Sequence, residues 1–119
     1  MNISLNNRNF EFTTNDILDI EFGEKDLLIL DPPYILRDDM YTMNFNKNHN
    51  EFLLNILNEN KCDFIYFNYL ERDGVVYDEL NDIIAKKDYK IIELANKTSS
   101  GQNRNGGKCV KEILITNIE

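Results

Sequence analysis

A run of four apolar residues that ends in an acid and two prolines constrains this fold most. The run Leu27–Leu30 has no polar interruption, which is typical of a strand buried on both faces. Pro32 and Pro33 cannot donate backbone hydrogen bonds and each fixes its own φ, so the strand must end in a stiff, extended turn. We therefore expect Asp31 to Tyr34 at the carboxyl end of a central strand, where open α/β sheets bind ligands.

The residues of this turn suit a flat ring that carries an amine. An ionised Asp31 only accepts hydrogen bonds, and Pro32 offers a carbonyl without an N–H. Two acceptors beside the Tyr34 ring could bind both hydrogens of an exocyclic amine while the ring stacks on the base. The alternative is a proline-stiffened turn that binds nothing.

This stretch resembles motif IV, Asp-Pro-Pro-Tyr, of the amino-methylating DNA methyltransferases, particularly the adenine-N6 enzymes of the Dam-like class. The resemblance implies methyl transfer from S-adenosylmethionine to the exocyclic amine of a flipped adenine, as in restriction-modification enzymes. Asp31, Pro32, Pro33 and Tyr34 would then be the catalytic residues. Positioning and electrostatics would carry such a step without a covalent nucleophile.

The remaining elements alternate between strands and helices. After a short strand (Asn9–Thr13) we expect a helical turn at Ile17–Ile20, capped by Asn15 or Asp16. We then expect helices at 49–60, capped by Asn48 or Asn50, and at 75–87, entered through Asp73-Gly74, with strands at 64–67, 89–94 and 112–116. The last strand should be an edge partner of the strand before it, and residues 95–108 a hairpin loop.

This order predicts an α/β fold and matches the second half of a class I methyltransferase. We expect residues 1–119 to form a single domain: a partial Rossmann-like S-adenosylmethionine-dependent methyltransferase sheet, mostly parallel, with a C-terminal antiparallel hairpin. By the same resemblance, Asp16 would accept a hydrogen bond from the adenine amine of the cofactor; its competing role is a plain helix cap. Tyr41 and Phe45 would line the base pocket or only pin their loop to the core.

A Ser/Asn/Gly loop with basic residues also resembles the closing region of Dam-like enzymes. This resemblance implies that nucleic acid is contacted by Lys97, Arg104 and Lys108. Their alternative role is as solvated surface cations. From Lys86 to Lys111, seven basic residues face two acids, a local charge of +5 within a chain of net charge −8. The overall charge argues against a free-standing DNA-binding protein, whereas a basic C-terminal face could still meet phosphate.

Two parts of a complete enzyme of this class are not found in the sequence. No aromatic-x-Gly-x-Gly turn follows an N-terminal strand, and no second strand ends in an acid for the ribose. We therefore expect this chain alone to bind S-adenosylmethionine weakly or not at all. We also expect a second chain, or self-association, to cover the open edge of the sheet.

Three functional readings stay open. The first is one half of a split adenine methyltransferase, and the second is a catalytically inactive remnant with a binding or regulatory role. The third is a small α/β interaction domain with an accidental motif. The sequence has no membrane-length apolar run and no charged-then-apolar leader, which predicts a cytoplasmic protein of prokaryotic or phage type. Cys62 and Cys109 have no metal-site spacing and His49 is the lone histidine, so no metal is expected.

Overall fold

The computed structural model describes residues 14–36, 38–98 and 109–119, and within them it has an α/β fold. The predicted strand at Asn9–Thr13 lies outside the described residues. Short 3-10 helices lie at Ile17–Asp19 and Asp38–Met40. The longer elements are β1 (Leu27–Leu30), α1 (Lys47–Glu59), β2 (Asp63–Arg72), β3 (Val75–Val76), α2 (Asp78–Lys86), β4 (Lys90–Thr98) and β5 (Cys109–Thr116).

The described strands form one five-stranded sheet in the order β1-β2-β5-β4, with β3 paired to β2. β1 runs parallel to β2, while the β2–β3, β2–β5 and β4–β5 pairs are all antiparallel. The predicted C-terminal antiparallel hairpin is confirmed, but the prediction of a mostly parallel sheet is wrong. The last strand lies between β2 and β4 rather than at an edge. It runs antiparallel to both of them.

The core lies on one face of the sheet, under both helices. Along β2 the residues Phe64, Tyr66 and Asn68 are buried, whereas Ile65 and Phe67 between them are only half-buried. Buried residues of α1 and α2 join the same cluster, which contains Leu53, Leu57, Leu80, Ile83, Ile113 and Ile115 together with Leu30, Phe64 and Tyr66. The apolar faces of the two helices thus cover one side of the sheet.

β1 is an edge strand of the described sheet, so the prediction of a central strand buried on both faces is wrong. Leu30 is buried, but Leu27 is 51% exposed and Ile29 is 66% exposed. Within residues 14–36, 38–98 and 109–119, β1 pairs with β2 alone. An unbroken apolar run indicates that both faces of a strand are meant to be covered, but it does not say which polypeptide covers them.

Both predicted helices form, but each starts at a different residue from the one expected. The N-cap of α1 is Asn46, not Asn48 or Asn50, and its side chain accepts hydrogen bonds from the N–H groups of Asn48 and His49. The His49 ring accepts from the Asn46 N–H in return, which completes a capping box. The C-cap of α1 is Asn60, whose φ of 54° is left-handed.

The second helix begins at Asp78 rather than Val75 because the preceding Asp-Gly pair makes a hairpin turn. Asp73 and Gly74 have φ values of 52° and 84°, and Val75–Val76 then pairs back onto the end of β2. Two successive positive-φ residues suit the tight turns that join antiparallel strands. The Asp-Gly signal therefore marked a hairpin and not a helix entry.

The cap at Asn46 predicts a measurable loss of stability. Asn46→Ala removes the acceptor for two N–H groups and should lower the free energy of unfolding by about 1 kcal/mol. Urea unfolding would measure this change. Asn48→Ala is the control, because that exposed side chain lies inside the helix and does not cap it. Equal losses in the two variants would contradict the assigned cap.

Candidate functional site

The side chain of Tyr34 is held in place at the carboxyl end of β1. Its hydroxyl donates a hydrogen bond to Glu112 Oε2 at 2.9 Å, which ties the turn to β5 across the sheet. Its ring meets the Tyr69 ring edge to face, with the centroids 4.5 Å apart and the planes at 72°. Tyr34 is half-buried. The aromatic part of the predicted site is therefore oriented before any ligand binds.

The environment of Tyr34 keeps its phenol neutral. Burial and the hydrogen bond to Glu112 raise the pKa of Tyr34 well above its ordinary value of 10.0, with the charges of Glu112 and Asp31 adding to the shift. A phenol in this state donates its proton to Glu112 and does not act as a base near neutral pH. The side chain is suited to hold and stack a ring, not to move a proton.

Asp31 is exposed and lies beside Tyr34 with a carboxylate that a ligand can reach. The Tyr34 hydroxyl is 3.5 Å from Asp31 Oδ1, at the outer limit of a hydrogen bond. An open cavity of about 510 Å³ is lined by the four residues Asp31 to Tyr34 together with Tyr69 and Arg72. The Arg72 guanidinium lies 5.2 Å from the centre of the Tyr69 ring, within cation–π range.

A second cavity lies on the other side of the same turn. It has a volume of about 320 Å³ and is lined by Asp31, Pro32 and Pro33, by Ile17, Ile29 and Leu30, and by Asn15, Asp16, Asn44, Phe45, His49 and Leu53. Asp31, Pro32 and Pro33 thus contribute to the lining of both cavities. One cavity contains the Tyr34 ring, and the other contains Asp16.

Asp16 uses both carboxylate oxygens in the described structure. Oδ1 accepts the Leu18 N–H at 2.9 Å, so Asp16 caps the first 3-10 helix as one of the two predictions had it. Oδ2 lies 2.9 Å from Nε2 of the buried His49. Since the Asn46 N–H donates to Nδ1 of that ring, a neutral His49 carries its proton on Nε2 and donates it to Asp16.

These two hydrogen bonds also set the acidity of Asp16. The bond from His49, followed by the bond from the Leu18 N–H, lowers the pKa of Asp16 below its ordinary value of 3.8. Asp16 therefore stays ionised and positions His49 at the start of α1. Its predicted contact with the cofactor adenine would have to share oxygens that already have partners.

Of the two residues predicted in the substrate loop, one lines a cavity described above. Phe45 stacks on His49 with the ring centroids 5.6 Å apart and lines the same cavity as Asp16. Tyr41 accepts a hydrogen bond from the buried Asn50 side chain at 3.3 Å, and Asn50 also donates to Tyr77. Both aromatic residues thus pin their loop to α1, and Phe45 additionally faces the cavity.

Of the three residues predicted to contact nucleic acid, only one lies in the described part of the chain. Lys97 pairs with Val110 in the β4–β5 ladder, while Arg104 and Lys108 lie outside the described residues. Across the described part of the chain, no group of His, Cys, Asp and Glu side chains could hold a metal ion. Within that same part, none of the helices has the length and apolar character needed to span a membrane.

Three residues of the site were not predicted as site residues. Tyr69 and Arg72 follow the buried part of β2, and in a parallel pair the carboxyl ends of β1 and β2 meet at one edge. That rule could have drawn attention to them. Glu112 reaches Tyr34 across 78 residues of sequence because β5 lies beside β2, and no local pattern indicates this pairing.

No protein-family model matches this sequence, and no curated protein matches it either. The family resemblance therefore stands on the residues themselves.

The hydrogen bonds of Asp16 predict a pH-dependent contribution to stability. Because the pKa of Asp16 is lower in the folded chain, its contribution is present above pH 3.8 and is lost as the pH falls through the lowered value. Asp16→Asn should thus be less stable than the wild type near neutral pH, and the gap should shrink under acid conditions. Urea midpoints measured at a series of pH values would follow this gap.

The matched control for this experiment is Asp19→Asn, which removes an exposed carboxylate from the same 3-10 helix and leaves the His49 contact intact. A gap between wild type and Asp16→Asn that did not change with pH would contradict the assigned role of the carboxylate.

Proposed function

We propose that the turn Asp31 to Tyr34 binds the exocyclic amine of a flipped adenine, as the motif IV half of an adenine-N6 DNA methyltransferase. The methyl group would come from S-adenosylmethionine. One observation carries the proposal: Asp31, Pro32 and Pro33 line two cavities at once, one with the Tyr34 ring and one with Asp16. A group-transfer site needs two adjoining pockets that share part of their lining, because the donor and the acceptor must meet at one point.

The chemistry of each residue supports amine binding in the cavity with Tyr34. The exposed Asp31 carboxylate accepts hydrogen bonds, and the Pro32 carbonyl has no N–H beside it to oppose an incoming donor. Hydrogen bonds to both hydrogens of an amine leave its nitrogen lone pair directed away from the two acceptors. Tyr34, neutral and held by Glu112, supplies a ring fixed for stacking.

The surroundings of this cavity also suit a nucleotide. Arg72 is about half exposed beside Tyr69 and its Nε lies 3.8 Å from Asp73 Oδ2, so its guanidinium would exchange this exposed contact for a phosphate while the aromatic rings contact the base. A base removed from a duplex would gain stacking here to offset part of its unstacking cost. The local cation matters because the chain as a whole has a net charge of −8.

The residues of this chain do not by themselves fit the complete cofactor. The 119 residues contain no Gly-x-Gly turn, and both oxygens of Asp16 already have partners. We therefore propose that a further polypeptide segment completes the cofactor site. The alternative function is that of an inactive remnant that keeps amine binding and acts as a binding or regulatory protein. The two differ in whether the chain methylates DNA once that segment is supplied, and an adjacent reading frame with the Gly-x-Gly turn would favour the enzyme.

Asp31→Asn should remove the preference of this site for an amine. The probe is a DNA duplex with adenine opposite an abasic site, compared with the same duplex carrying purine, which lacks the amine. We expect the wild type to prefer adenine and Asp31→Asn to reduce that preference by roughly 10-fold to 100-fold, as expected for a lost charged hydrogen bond. Fluorescence anisotropy at low salt would measure both affinities.

Two further variants make this experiment specific. Glu24→Gln removes one exposed negative charge near β1 and should leave the adenine preference unchanged. Tyr34→Phe keeps the ring but frees Glu112, so it should retain more affinity than Tyr34→Ala. Equal binding of adenine and purine by the wild type would refute the proposed function.

The incomplete cofactor site predicts that the chain alone shows no strong binding of S-adenosylmethionine. We expect isothermal titration calorimetry to detect no binding of micromolar affinity. A Kd of about 1 μM would correspond to a binding free energy of about −8.2 kcal/mol. A micromolar Kd for this chain would show that the site is complete without another segment.

A further inference from the structure

The edge of β1 carries apolar side chains that the described residues leave exposed. We define the β1 edge surface as Leu27 and Ile29 of β1 with Leu18 and Ile20 from the segment before it. Their exposed fractions are 51%, 66%, 41% and 40%. Four large aliphatic side chains that stay exposed between residues 18 and 29 are typical of a segment that binds another polypeptide.

The backbone of β1 offers hydrogen bonds along this same edge. β1 pairs with β2 on one side, and no described strand pairs with its other side. An open edge presents a row of N–H and C=O groups to which a further strand can add. The cavity lined by Ile17, Ile29 and Leu30 lies at this edge, so an added strand would run into a concave surface.

A row of exposed and half-buried apolar side chains continues from this edge across the described sheet. Ile29 stands beside Ile65 in the parallel register, and Phe67 pairs with Leu114, which pairs with Ile92. These residues lie on the face opposite the buried core, and Ile92 is 42% exposed. A polypeptide that adds a strand at β1 could therefore also contact the part of this face nearest β1, whereas Ile92 lies three strands away on β4.

The charge around the β1 edge surface selects the kind of partner. Residues 14–36 contain six carboxylates (Asp16, Asp19, Glu21, Glu24, Asp26 and Asp31) and one cation, Lys25, which leaves a net charge of −5. All six carboxylates belong to exposed residues. Two copies that paired through this edge would bring like charges together, which opposes self-association. A basic partner would instead be attracted.

We propose that the β1 edge surface binds a partner polypeptide that adds a β-strand carrying alternating apolar and basic side chains. This inference rests on the proposed function only for the partner's purpose, which is to complete the cofactor site. The partner strand would run along β1 and end at the cavity that is lined by Asp16 and by the motif residues Asp31 to Pro33. Its apolar side chains would cover Leu27 and Ile29, and its cations would meet the surrounding carboxylates.

The test uses the full chain and two labelled peptides of about ten residues, one alternating valine with lysine and one alternating valine with glutamate. We expect the lysine peptide to bind at least about 10-fold more tightly than the glutamate peptide, and its affinity to fall with added salt. Fluorescence anisotropy would measure the affinities. Hydrogen exchange should show new protection at Leu27–Leu30 and none at Lys90–Leu94, on the opposite edge.

A matched pair of substitutions locates the binding surface. Ile29→Lys should weaken binding of the lysine peptide by about 10-fold or more, because it replaces an apolar contact by a like charge. Ile92→Lys makes the same change at an exposed isoleucine of β4 and should leave the affinity unchanged. Equal effects of the two substitutions, or equal affinities for the two peptides, would overturn the proposal.

Two other occupants would give different results. Slow exchange, in the chain alone, of the Leu27–Leu30 amides that do not donate to β2 would mean that this chain covers its own edge. A dimer seen in sedimentation and abolished by Ile29→Lys would identify a second copy as the occupant. Either result overturns the proposed partner. None of these measurements uses DNA or cofactor, so their failure is distinguishable from failure of the proposed function.

Discussion

The position of β5 between β2 and β4 is the constraint on which the rest of the described structure depends. This strand pairs with β2 on one side and β4 on the other, so it joins the first half of the chain to its end. It contributes Ile113 and Ile115 to the core and, on the other face, brings Glu112 to Tyr34. The candidate site at the end of β1 is thus held in part by a side chain from the last strand of the chain.

The backbone of the motif and the side chain of Tyr34 are held in place by different contacts. Pro32 and Pro33 stiffen the backbone locally, while Tyr34 is oriented by contacts from two other strands, namely Glu112 on β5 and Tyr69 on β2. On the other side of the turn, the network from Asn46 through His49 to Asp16 joins the start of α1 to the first 3-10 helix. Fixed groups on both sides are what a site needs to position two reactants.

Within the described residues, the same architecture leaves one face of the sheet without a helix. Both described helices pack on the other face, and the edge strand next to the motif keeps exposed aliphatic residues in a segment rich in carboxylates. The proposed site and the β1 edge surface meet at Ile29, Leu30 and Asp31. A partner bound at the edge would therefore lie next to the motif, which links the proposed chemistry to the proposed assembly.

Sequence patterns predicted the elements better than their environments. Local signals were sufficient for the helical turn at Ile17, the apolar stripe of α1 and the strand that ends before Asp31, but they left Asn15 and Asp16 open as the cap of that turn. They failed at Asp73-Gly74, where a turn signal suits a hairpin as well as a helix entry, and at the cap of α1, where several asparagines compete within a few residues. Periodicity locates apolar faces but does not identify their neighbours.

By itself, the sequence determined the strand and the proline-stiffened turn at Asp31 to Tyr34, because proline geometry and apolar patterning act over a few residues. It also determined the uneven distribution of charge, which needs no fold. The tertiary structure alone decided that β1 lies at an edge of the described sheet, that Asp16 accepts a hydrogen bond from His49, and that Glu112 holds Tyr34. These facts depend on strand order and on contacts between residues 33 or 78 positions apart, which no local pattern encodes.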